Sequence, residues 1–134
     1  MNKFEKSSKG FNLLELMITL AIIAIIVGLA YPSYSAYSRK ARRGDAQEQL
    51  MDWAQQYELF RANNPTYASS GLPVPMNSYY TISEVSADAV SYTLQAVAGG
   101  NQAKDKEKGE SCTTMQFGQG GPIDVGGNLV CWGN

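Results

Sequence analysis

The chain has 134 residues, a net charge of −1 at pH 7 and no histidine. This length allows one ordinary domain but not two. The near-neutral charge gives no argument for nucleic-acid binding through bulk electrostatics. The lack of histidine excludes histidine catalysis, histidine-ligated metal and a histidine pH switch. Because no nucleophile is paired with a base in a recognisable motif, an enzyme is the least supported class, and we expect no cofactor or metal.

A short basic leader followed by a long apolar run occupies the N-terminus. Residues 1–10 carry three lysines against one glutamate, and residues 11–31 are apolar except for a few positions that include Glu15. As a helix, the run would span about 31 Å, close to the roughly 30 Å thickness of the hydrocarbon core of a bilayer. The run therefore predicts a membrane helix, in which the carboxylate of Glu15 is costly and needs its own explanation.

Two plainer interpretations of this N-terminus fit less well. A secretory signal peptide carries small-residue cleavage signals after its apolar region and tolerates an internal carboxylate badly. A plain single-span anchor should show a charge asymmetry across the membrane. Here the positive charge that precedes the run is matched by positive charge that follows it, at Arg39, Lys40, Arg42 and Arg43.

The helical pattern continues beyond the apolar run. Pro32 lacks an N–H group and clashes with the preceding turn, so we expect a kink there rather than a stop. Further on, apolar residues recur at helical spacing and form one stripe, which consists of Ala46, Leu50, Trp53, Ala54, Tyr57 and Phe60. The helix should end near Arg61–Asn64, before Pro65, so a single helix is predicted from about Phe11 to Ala62.

The rest of the chain predicts a small antiparallel sheet. Alternating apolar residues and turn signals give four strands, at Tyr79–Val85, Tyr92–Ala98, Thr113–Phe117 and Leu129–Trp132. Residues 63–78 contain three prolines and are expected to form a loop. The polar segment Gly99–Ser111 is expected to be an exposed, solvated loop. The glycine-rich residues 118–128 should form the turn of a hairpin between the last two strands.

Cys112 and Cys131 are the only cysteines. Together with an export-type N-terminus, they indicate a disulfide formed in an oxidising compartment, which would hold the last hairpin closed. A bridge over about 20 residues could contribute roughly 3 kcal/mol of stability. Two reduced cysteines are the alternative. A zinc site is excluded in practice, because two cysteines without histidine make a poor ligand set.

The sequence Lys9-Gly10-Phe11-Asn12-Leu13-Leu14-Glu15-Leu16 closely resembles the signature of type IV pilins, the class III prepilin signal. The resemblance implies that a membrane aspartyl peptidase cuts between Gly10 and Phe11 and then N-methylates Phe11. It also implies that Glu15 is the family's glutamate and that Pro32 is its helix-breaking proline. Asn12 departs from the threonine that is usual in the family, and it keeps a polar side chain there.

The roles implied for the N-terminus agree with electrostatics. After the cut, Glu15 lies in the first helical turn, where a carboxylate complements the positive end of the helix dipole. In a fibre of packed helices, the cationic terminus of a neighbour can pair with it in a dry setting and fix the axial register. Because cleavage creates that cationic partner, we expect cleavage to make the chain competent for assembly.

Weaker similarities extend the resemblance to PilE-type minor pilins. They are Asn64-Pro65-Thr66-Tyr67, Ser91-Tyr92-Thr93-Leu94-Gln95-Ala96 and the late Cys112…Cys131-Trp132. The resemblance implies an α+β type IV pilin fold, with a long kinked N-terminal α-helix packed on a roughly four-stranded antiparallel sheet. It also implies three parts: a prepilin leader peptide at 1–10, a hydrophobic transmembrane and assembly helix at 11–38, and a globular head at 39–134.

The function implied is that of a structural subunit of a type IV pilus. A minor pilin that primes assembly or sits near the tip is favoured, supporting adhesion, twitching motility or DNA uptake. Implied partners are other major and minor pilins, the prepilin peptidase, the inner-membrane assembly platform and the membrane before assembly. The precursor would lie in the bacterial inner membrane with a periplasmic head, and the mature chain in a cell-surface pilus. Alternatives are a major pilin of the shaft, a type II secretion pseudopilin and a DNA-binding competence pilin.

The basic cluster Arg39, Lys40, Arg42 and Arg43 has several interpretations. It could bind nucleic acid, but four charges without a matching basic head give only weak non-specific affinity. We favour a solvated helix face, contacts with phospholipid headgroups before assembly, or ion pairs with an acidic neighbour in the fibre. The aromatic residues Tyr31, Tyr34 and Tyr37 are expected to form an interfacial belt. Trp132 is expected to pack on the closed hairpin rather than to face a partner.

Overall fold

The computed structural model describes residues 10–133, so most of the predicted leader lies outside the described residues. The chain divides into two compact units, an N-terminal unit that ends at Ser35 and a head that begins at Ala36. One helix, α1, runs along the chain from Leu13 to Asn63 and belongs to both units. It begins and ends close to the predicted limits, and it continues through Pro32 as expected. The kink at Pro32 stays a prediction.

In the N-terminal unit, α1 begins with a side-chain cap. The Oδ1 atom of Asn12 accepts a hydrogen bond from the N–H of Leu14 at 3.3 Å, an arrangement that satisfies one of the free N–H groups at a helix start. All residues from Gly10 to Tyr34 are exposed. The apolar part of the helix is long enough to cross a membrane, and none of its most apolar window is buried. Exposed apolar surface of this extent marks a site of membrane or protein contact.

In the head, the predicted stripe of α1 packs against a four-stranded antiparallel sheet. The strands are β1 (Tyr80–Ala87), β2 (Tyr92–Ala98), β5 (Thr114–Gly118) and β6 (Gly121–Ile123), in the order β1-β2-β5-β6. Two short strands, β3 (Lys106–Glu107) and β4 (Glu110–Ser111), form a separate hairpin. The α+β fold expected from the sequence is confirmed, and the strand predicted at Tyr92–Ala98 has the limits of β2.

The core lies between the helix stripe and the central strand β2. Alternate residues of β2 are buried, as are Ala46, Leu50, Trp53, Ala54 and Tyr57 on the helix and Met115 on β5. The rings of Tyr57 and Tyr92 stack with centroids 5.0 Å apart, and Trp53 meets Tyr57 edge-on at 5.6 Å. Trp53 and Tyr57 are thus in the core as predicted, whereas Phe60 is only half-buried.

The prediction of a strand at Leu129–Trp132 is wrong. These residues belong to a 3₁₀-helix at Asn128–Trp132, and the fourth strand of the sheet is β6, inside the glycine-rich segment. Asn128 explains the difference, because its Nδ2 donates to the carbonyl of Thr114 at 2.5 Å and its Oδ1 accepts from the N–H of Val125 at 3.0 Å. A short apolar run has too few residues for its periodicity to distinguish a strand from a short helix.

The two edges of the sheet are irregular. The pairing of β1 with β2 shifts register between Glu84 and Ser86, which indicates a bulge. At the other edge, β6 has only three residues and contains Pro122. Its turn from β5 passes through Gly121, whose φ of +105° is a conformation that favours glycine. The bulge in β1 and the shortness of β6 therefore limit the regular backbone that these edges offer for pairing with another strand.

The segment Gly99–Ser111 is not the plain exposed loop that was predicted. It contains a 3₁₀-helix at Gly100–Lys104 and the β3–β4 hairpin, and both Gln102 and Asp105 are buried. The hairpin turns at Lys108 and Gly109, which both have positive φ. Local polarity suggested solvation, but contacts with α1 order this segment.

Candidate functional site

The disulfide between Cys112 and Cys131 is present, with Cα atoms 5.7 Å apart, and confirms the predicted pairing. It ties the connection between β4 and β5 to the 3₁₀-helix at Asn128–Trp132. The helix α1 contributes to the same region, because Gln47 Nε2 donates to the carbonyl of Cys131 at 2.7 Å. Trp132 packs beside Phe117 with ring centroids 5.6 Å apart, as expected for a packing residue.

A buried ion pair joins α1 to the β3 segment. Arg43 is only 3% exposed, and its guanidinium donates to Asp105 Oδ2 at 2.7 Å and to Glu107 Oε2 at 2.5 Å. Lys40, whose side chain is 63% exposed, lies 3.2 Å from Glu107. The hydrogen bonds from Arg43 and then from Lys40 hold the pKa of Glu107 below its usual range. The prediction of a solvated helix face is therefore wrong for Arg43, because its charge is paired with carboxylates of the same chain.

The other members of the basic cluster differ in burial and in the contacts they make. The guanidinium of Arg42 lies 4.0 Å from the centre of the Tyr79 ring. This is a cation–π geometry. Arg39 is half-buried, and its backbone carbonyl accepts a hydrogen bond from Gln102 Nε2 at 2.8 Å. Only Lys40 behaves as an exposed charge of the cluster.

Lysines from the β3–β4 region extend the positive surface around Lys40. A groove of about 600 Å³ is lined on α1 by residues that include Arg39 and Lys40, and on the other side by Lys104–Glu107. Lys104, Lys106 and Lys108 are exposed. The carboxylates of Asp105 and Glu107 are paired with Arg43. The remaining lysines of this region therefore outnumber its remaining carboxylate, Glu110. We call Lys40, Lys104, Lys106 and Lys108 the basic flank.

A second groove, of about 450 Å³, has the opposite charge. It is lined by Asp45, Glu48, Gln49 and Asp52 of α1 and by the loop Met76–Tyr79. Gln49 holds the loop in place, because its Oε1 accepts from Asn77 Nδ2 at 2.9 Å and its Nε2 donates to the carbonyl of Met76 at 3.3 Å. The Met76 side chain is 91% exposed. We call Asp45, Glu48, Asp52 and Met76 the acidic flank.

The buried tyrosines of the head bind carboxylates and have structural roles. Tyr57 donates its hydroxyl hydrogen bond to Glu84, and Tyr67 donates to Glu58 at 3.0 Å. Burial and then the bond to Glu84 raise the pKa of Tyr57 to about 12. Burial likewise raises the pKa of Tyr67 and of Tyr92. These hydroxyls stay protonated at neutral pH, so they are poor candidates for proton transfer.

Within residues 10–133, the site residues predicted at the N-terminus are all exposed. Gly10 and Phe11 precede the start of α1, and Phe11 is 80% exposed. Glu15 lies in the first turn of α1, as the predicted pairing with a neighbour requires. The cut between Gly10 and Phe11, the N-methylation of Phe11 and the assembly roles of Glu15 and Pro32 stay predictions. No group of three or more histidine, cysteine, aspartate or glutamate side chains among the described residues could hold a metal ion.

Comparisons with known proteins place these features in context. A family model described as "Type IV minor pilin ComP, DNA uptake sequence receptor" matches residues 32–116, and a "Prokaryotic N-terminal methylation motif" matches residues 6–31. A curated relative, the type IV wide pilus major component PilA4 of Thermus thermophilus, is 34% identical over 99 residues. That match covers 68% of this chain and 74% of the relative.

The fold is also similar to that of a solved structure. The non-core minor pilin PilV of Neisseria meningitidis aligns with a TM-score of 0.53 and 22% sequence identity. The alignment covers 72% of this chain and 95% of PilV. At this level of identity, the similarity concerns the fold alone.

Proposed function

Since this chain belongs to the type IV minor pilin family and is a structural pilin subunit, we propose that it is exported as a prepilin, cut between Gly10 and Phe11, N-methylated at Phe11 and built into a type IV pilus. Within the pilus, we propose that it acts as a minor pilin that primes assembly or sits near the tip. Its proposed partners are the prepilin peptidase, the assembly platform and neighbouring pilins. The precursor would lie in the inner membrane, and the mature chain at the cell surface.

The observation that carries this proposal is the contrast between an uncovered apolar helix and its single early carboxylate. The residues from Gly10 to Tyr34 are exposed, and Glu15 lies in the first helical turn. A membrane can cover the apolar residues but gives Glu15 no partner. A neighbouring pilin can do both, because its helix covers apolar surface and its cationic terminus at Phe11 supplies the charge.

Mass spectrometry of the mature N-terminus and of sheared fibres tests the proposal. We expect an N-terminal methylated Phe11 and a chain that is less abundant in fibres than the shaft subunit. A terminus other than methylated Phe11 would contradict the processing step. A chain that forms most of the fibre mass would instead identify a major pilin.

A matched set at position 15 separates processing from assembly. Glu15→Ala and Glu15→Gln should both be cleaved but enter fibres poorly, because neither supplies a charge for the cationic terminus of a neighbour. Glu15→Asp keeps the charge and should retain part of the incorporation. Normal incorporation of Glu15→Gln would exclude the proposed ion pair. Failure of cleavage in these variants would show that Glu15 acts at the peptidase step instead.

DNA binding is a second candidate function, favoured by one observation. From the sequence, DNA binding was not favoured, because the globular head showed no matching excess of positive charge to add to the basic cluster. In the head, however, Lys104, Lys106 and Lys108 lie beside Lys40 in the basic flank. The matched family model describes a DNA uptake sequence receptor. We propose that the basic flank contacts phosphates of double-stranded DNA.

A head fragment of residues 32–134 is suitable for testing DNA binding. Every core residue of the head lies within it, and proline is well tolerated in the first turn of a helix. Binding should weaken with salt, and replacing three contacting lysines by alanine should lower the slope of log K against log[salt] by about 2.7. The variant Lys104→Ala/Lys106→Ala/Lys108→Ala tests this. Asp45→Asn/Glu48→Gln/Asp52→Asn is the matched control, which should bind at least as well as the original fragment. Unchanged binding by the lysine variant would place the DNA contact elsewhere.

A further inference from the structure

The groove of about 600 Å³ beside Lys40 lies on the first turns of α1 that belong to the head. Its wall on α1 consists of Ala36, Tyr37, Arg39 and Lys40, and its opposite wall is Lys104–Glu107. The head begins at Ala36, so these lining residues all belong to the head. We call this cavity the basal groove.

The basal groove closely follows the apolar segment along the chain. The apolar run ends at Tyr31, and Tyr31, Tyr34 and Tyr37 are the exposed aromatic residues predicted to form an interfacial belt. Ala36 comes five positions after Tyr31, an axial distance of about 7.5 Å in a helix. The headgroup layer on each side of the hydrocarbon core is about 5–8 Å thick. The wall of the groove on α1 therefore begins where a headgroup layer would end.

The basal groove keeps positive charge after the internal ion pairs are counted. Its two carboxylates, those of Asp105 and Glu107, are paired with Arg43. Lys104 and Lys106 are exposed and form no ion pair among the described residues. The groove is therefore suited to an anion rather than to a cation or an apolar ligand.

Arg39 carries hydrogen-bond donors that the described part of the chain leaves unsatisfied. Its side chain lines the basal groove and is half-buried, and its Nε atom is buried with no hydrogen-bond partner in residues 10–133. A buried donor without an acceptor is uncommon, because its lost hydration is not repaid. Two oxygens of one phosphate or carboxylate group fit the forked donors of a guanidinium best. Arg39 thus favours an oxyanion in the groove.

We propose that the basal groove binds the phosphate of an anionic phospholipid while the apolar part of α1 lies in a membrane. Arg39 donates hydrogen bonds to the phosphate oxygens, and Lys104 and Lys106 neutralise the charge of the lipid. A phospholipid is the occupant because one continuous helix joins the groove to the apolar segment, and headgroups surround that segment where it leaves the bilayer. In one respect the proposal rests on the proposed function, since it requires a precursor that is held in a membrane.

The lipid site would make the exposure of the basic flank depend on where the chain is. Each lysine or arginine near an anionic surface strengthens binding about fivefold, so three of them distinguish an anionic from a zwitterionic lipid by about a hundredfold. Lys104 and Lys106 also belong to the proposed DNA surface, so a bound phospholipid and DNA would compete for them. A chain that leaves the membrane would therefore expose these lysines to DNA.

Lysine acetylation of the full chain in lipid nanodiscs tests the site. One set of discs contains equal parts of phosphatidylglycerol and phosphatidylcholine, and the other contains phosphatidylcholine alone. Both are treated briefly with a water-soluble succinimidyl ester, and mass spectrometry measures the acetylation of each lysine. Lys104 and Lys106 should react about fivefold more slowly in the anionic discs. Lys108 lines a different groove and is the internal reference, so its rate should change much less.

Matched substitutions on α1 separate a phosphate site from general charge. Arg39→Gln should reduce the protection of Lys104 and Lys106 in anionic discs to about twofold or less. Arg39→Lys keeps the charge but not the forked donors, and it should retain part of the protection. Arg61→Gln removes an equal charge 22 positions further along the same helix, and it should leave the protection unchanged. Thermal unfolding of each variant checks that its head is folded.

Several results would overturn the lipid site. Equal acetylation of Lys104 and Lys106 in the two kinds of disc would do so, as would full protection in Arg39→Gln. Equal protection of Lys108 would indicate diffuse attraction of the head to a charged surface. Protection by inorganic phosphate added to the phosphatidylcholine discs would assign the groove to soluble phosphate instead. Unprotected lysines in an inserted chain contradict the lipid site alone, whereas a chain that does not enter the discs also contradicts the membrane-held precursor of the proposed function.

Discussion

The N-terminal unit and the head are stabilised in different ways. From Gly10 to Tyr34 every residue is exposed, and the described residues there form no core. The head buries one face of the same helix under a sheet and adds a disulfide and a buried ion pair. The head can therefore be stable as an isolated unit, whereas the apolar residues of the N-terminal unit need a membrane or neighbouring helices. Substitutions should accordingly affect folding in one unit and assembly in the other.

The largest expected effect on folding of the head comes from breaking its buried ion pair. Arg43→Met leaves the carboxylate of Asp105 buried without its cation and should lower the free energy of unfolding by about 3–5 kcal/mol. Denaturant unfolding of the head fragment measures the loss. The matched change Lys40→Met, at the exposed end of the same cluster, should cost no more than about 1 kcal/mol. Equal losses of unfolding free energy in the two variants would show that Arg43 stabilises the head no more than a surface charge does.

A pair of leucines compares the two units directly. Leu50 is fully buried in the head, and Leu50→Ala should lower the free energy of unfolding by about 2–5 kcal/mol. Leu29 is exposed in the N-terminal unit, and Leu29→Ala should leave head unfolding unchanged in the full chain held in detergent. It should instead reduce recovery of the chain in sheared fibres. A loss of head stability in Leu29→Ala would contradict the separation of the two units.

The disulfide is a further stabilising feature that only the head contains. Cys112→Ser/Cys131→Ser should lower the free energy of unfolding by about 3 kcal/mol, because the unfolded chain regains the freedom of a loop of about 20 residues. Chemical denaturation of the head fragment measures this, and the original fragment in reducing agent should show a similar loss. If reduction destabilises the original fragment much less than the double substitution does, the serines themselves disturb the packing.

The smallest expected effect is the acid dependence that comes from Glu107. Its lowered pKa means that the folded state holds the ionised form more strongly than the unfolded state does. The resulting stability is present above the usual glutamate pKa of about 4.3 and is lost as pH falls through the lower folded value. Glu107→Gln should therefore flatten the fall in stability of the head in that acid range. Denaturant unfolding of the original and variant head fragments over the same acid range measures the contribution of Glu107.

Local patterns in the sequence predicted much of the fold but not the contacts between distant segments. The helical spacing of Leu50, Trp53 and Tyr57 predicted the buried face of α1, and alternation in β2 gave its limits. The fourth strand was misplaced because the side chain of Asn128 binds the backbone of β5, and nothing in the run Leu129–Trp132 indicates that contact. The family resemblance supplied the pilin fold and the candidate N-terminal site.

At the candidate site too, the sequence did not reveal contacts between distant segments, as the basic cluster shows. Four cationic residues within five positions predicted charges that meet solvent, phospholipid headgroups or an acidic neighbour in the fibre. In the structure, Arg43 is removed from that face by carboxylates 62 and 64 residues further along the chain. The same distant segment supplies Lys104, Lys106 and Lys108. Because charge on neighbouring residues does not indicate which partners the fold will bring, the true composition of the positive surface could be found only from the tertiary contacts.

The irregular sheet edges have a consequence for crowding. A fibre would keep pilin heads close together, the situation in which free strand edges join neighbouring chains into aggregates. The bulge between Glu84 and Ser86 interrupts one edge, and Pro122 removes a hydrogen-bond donor from the short strand at the other. Heads built this way can lie close together without joining strand to strand.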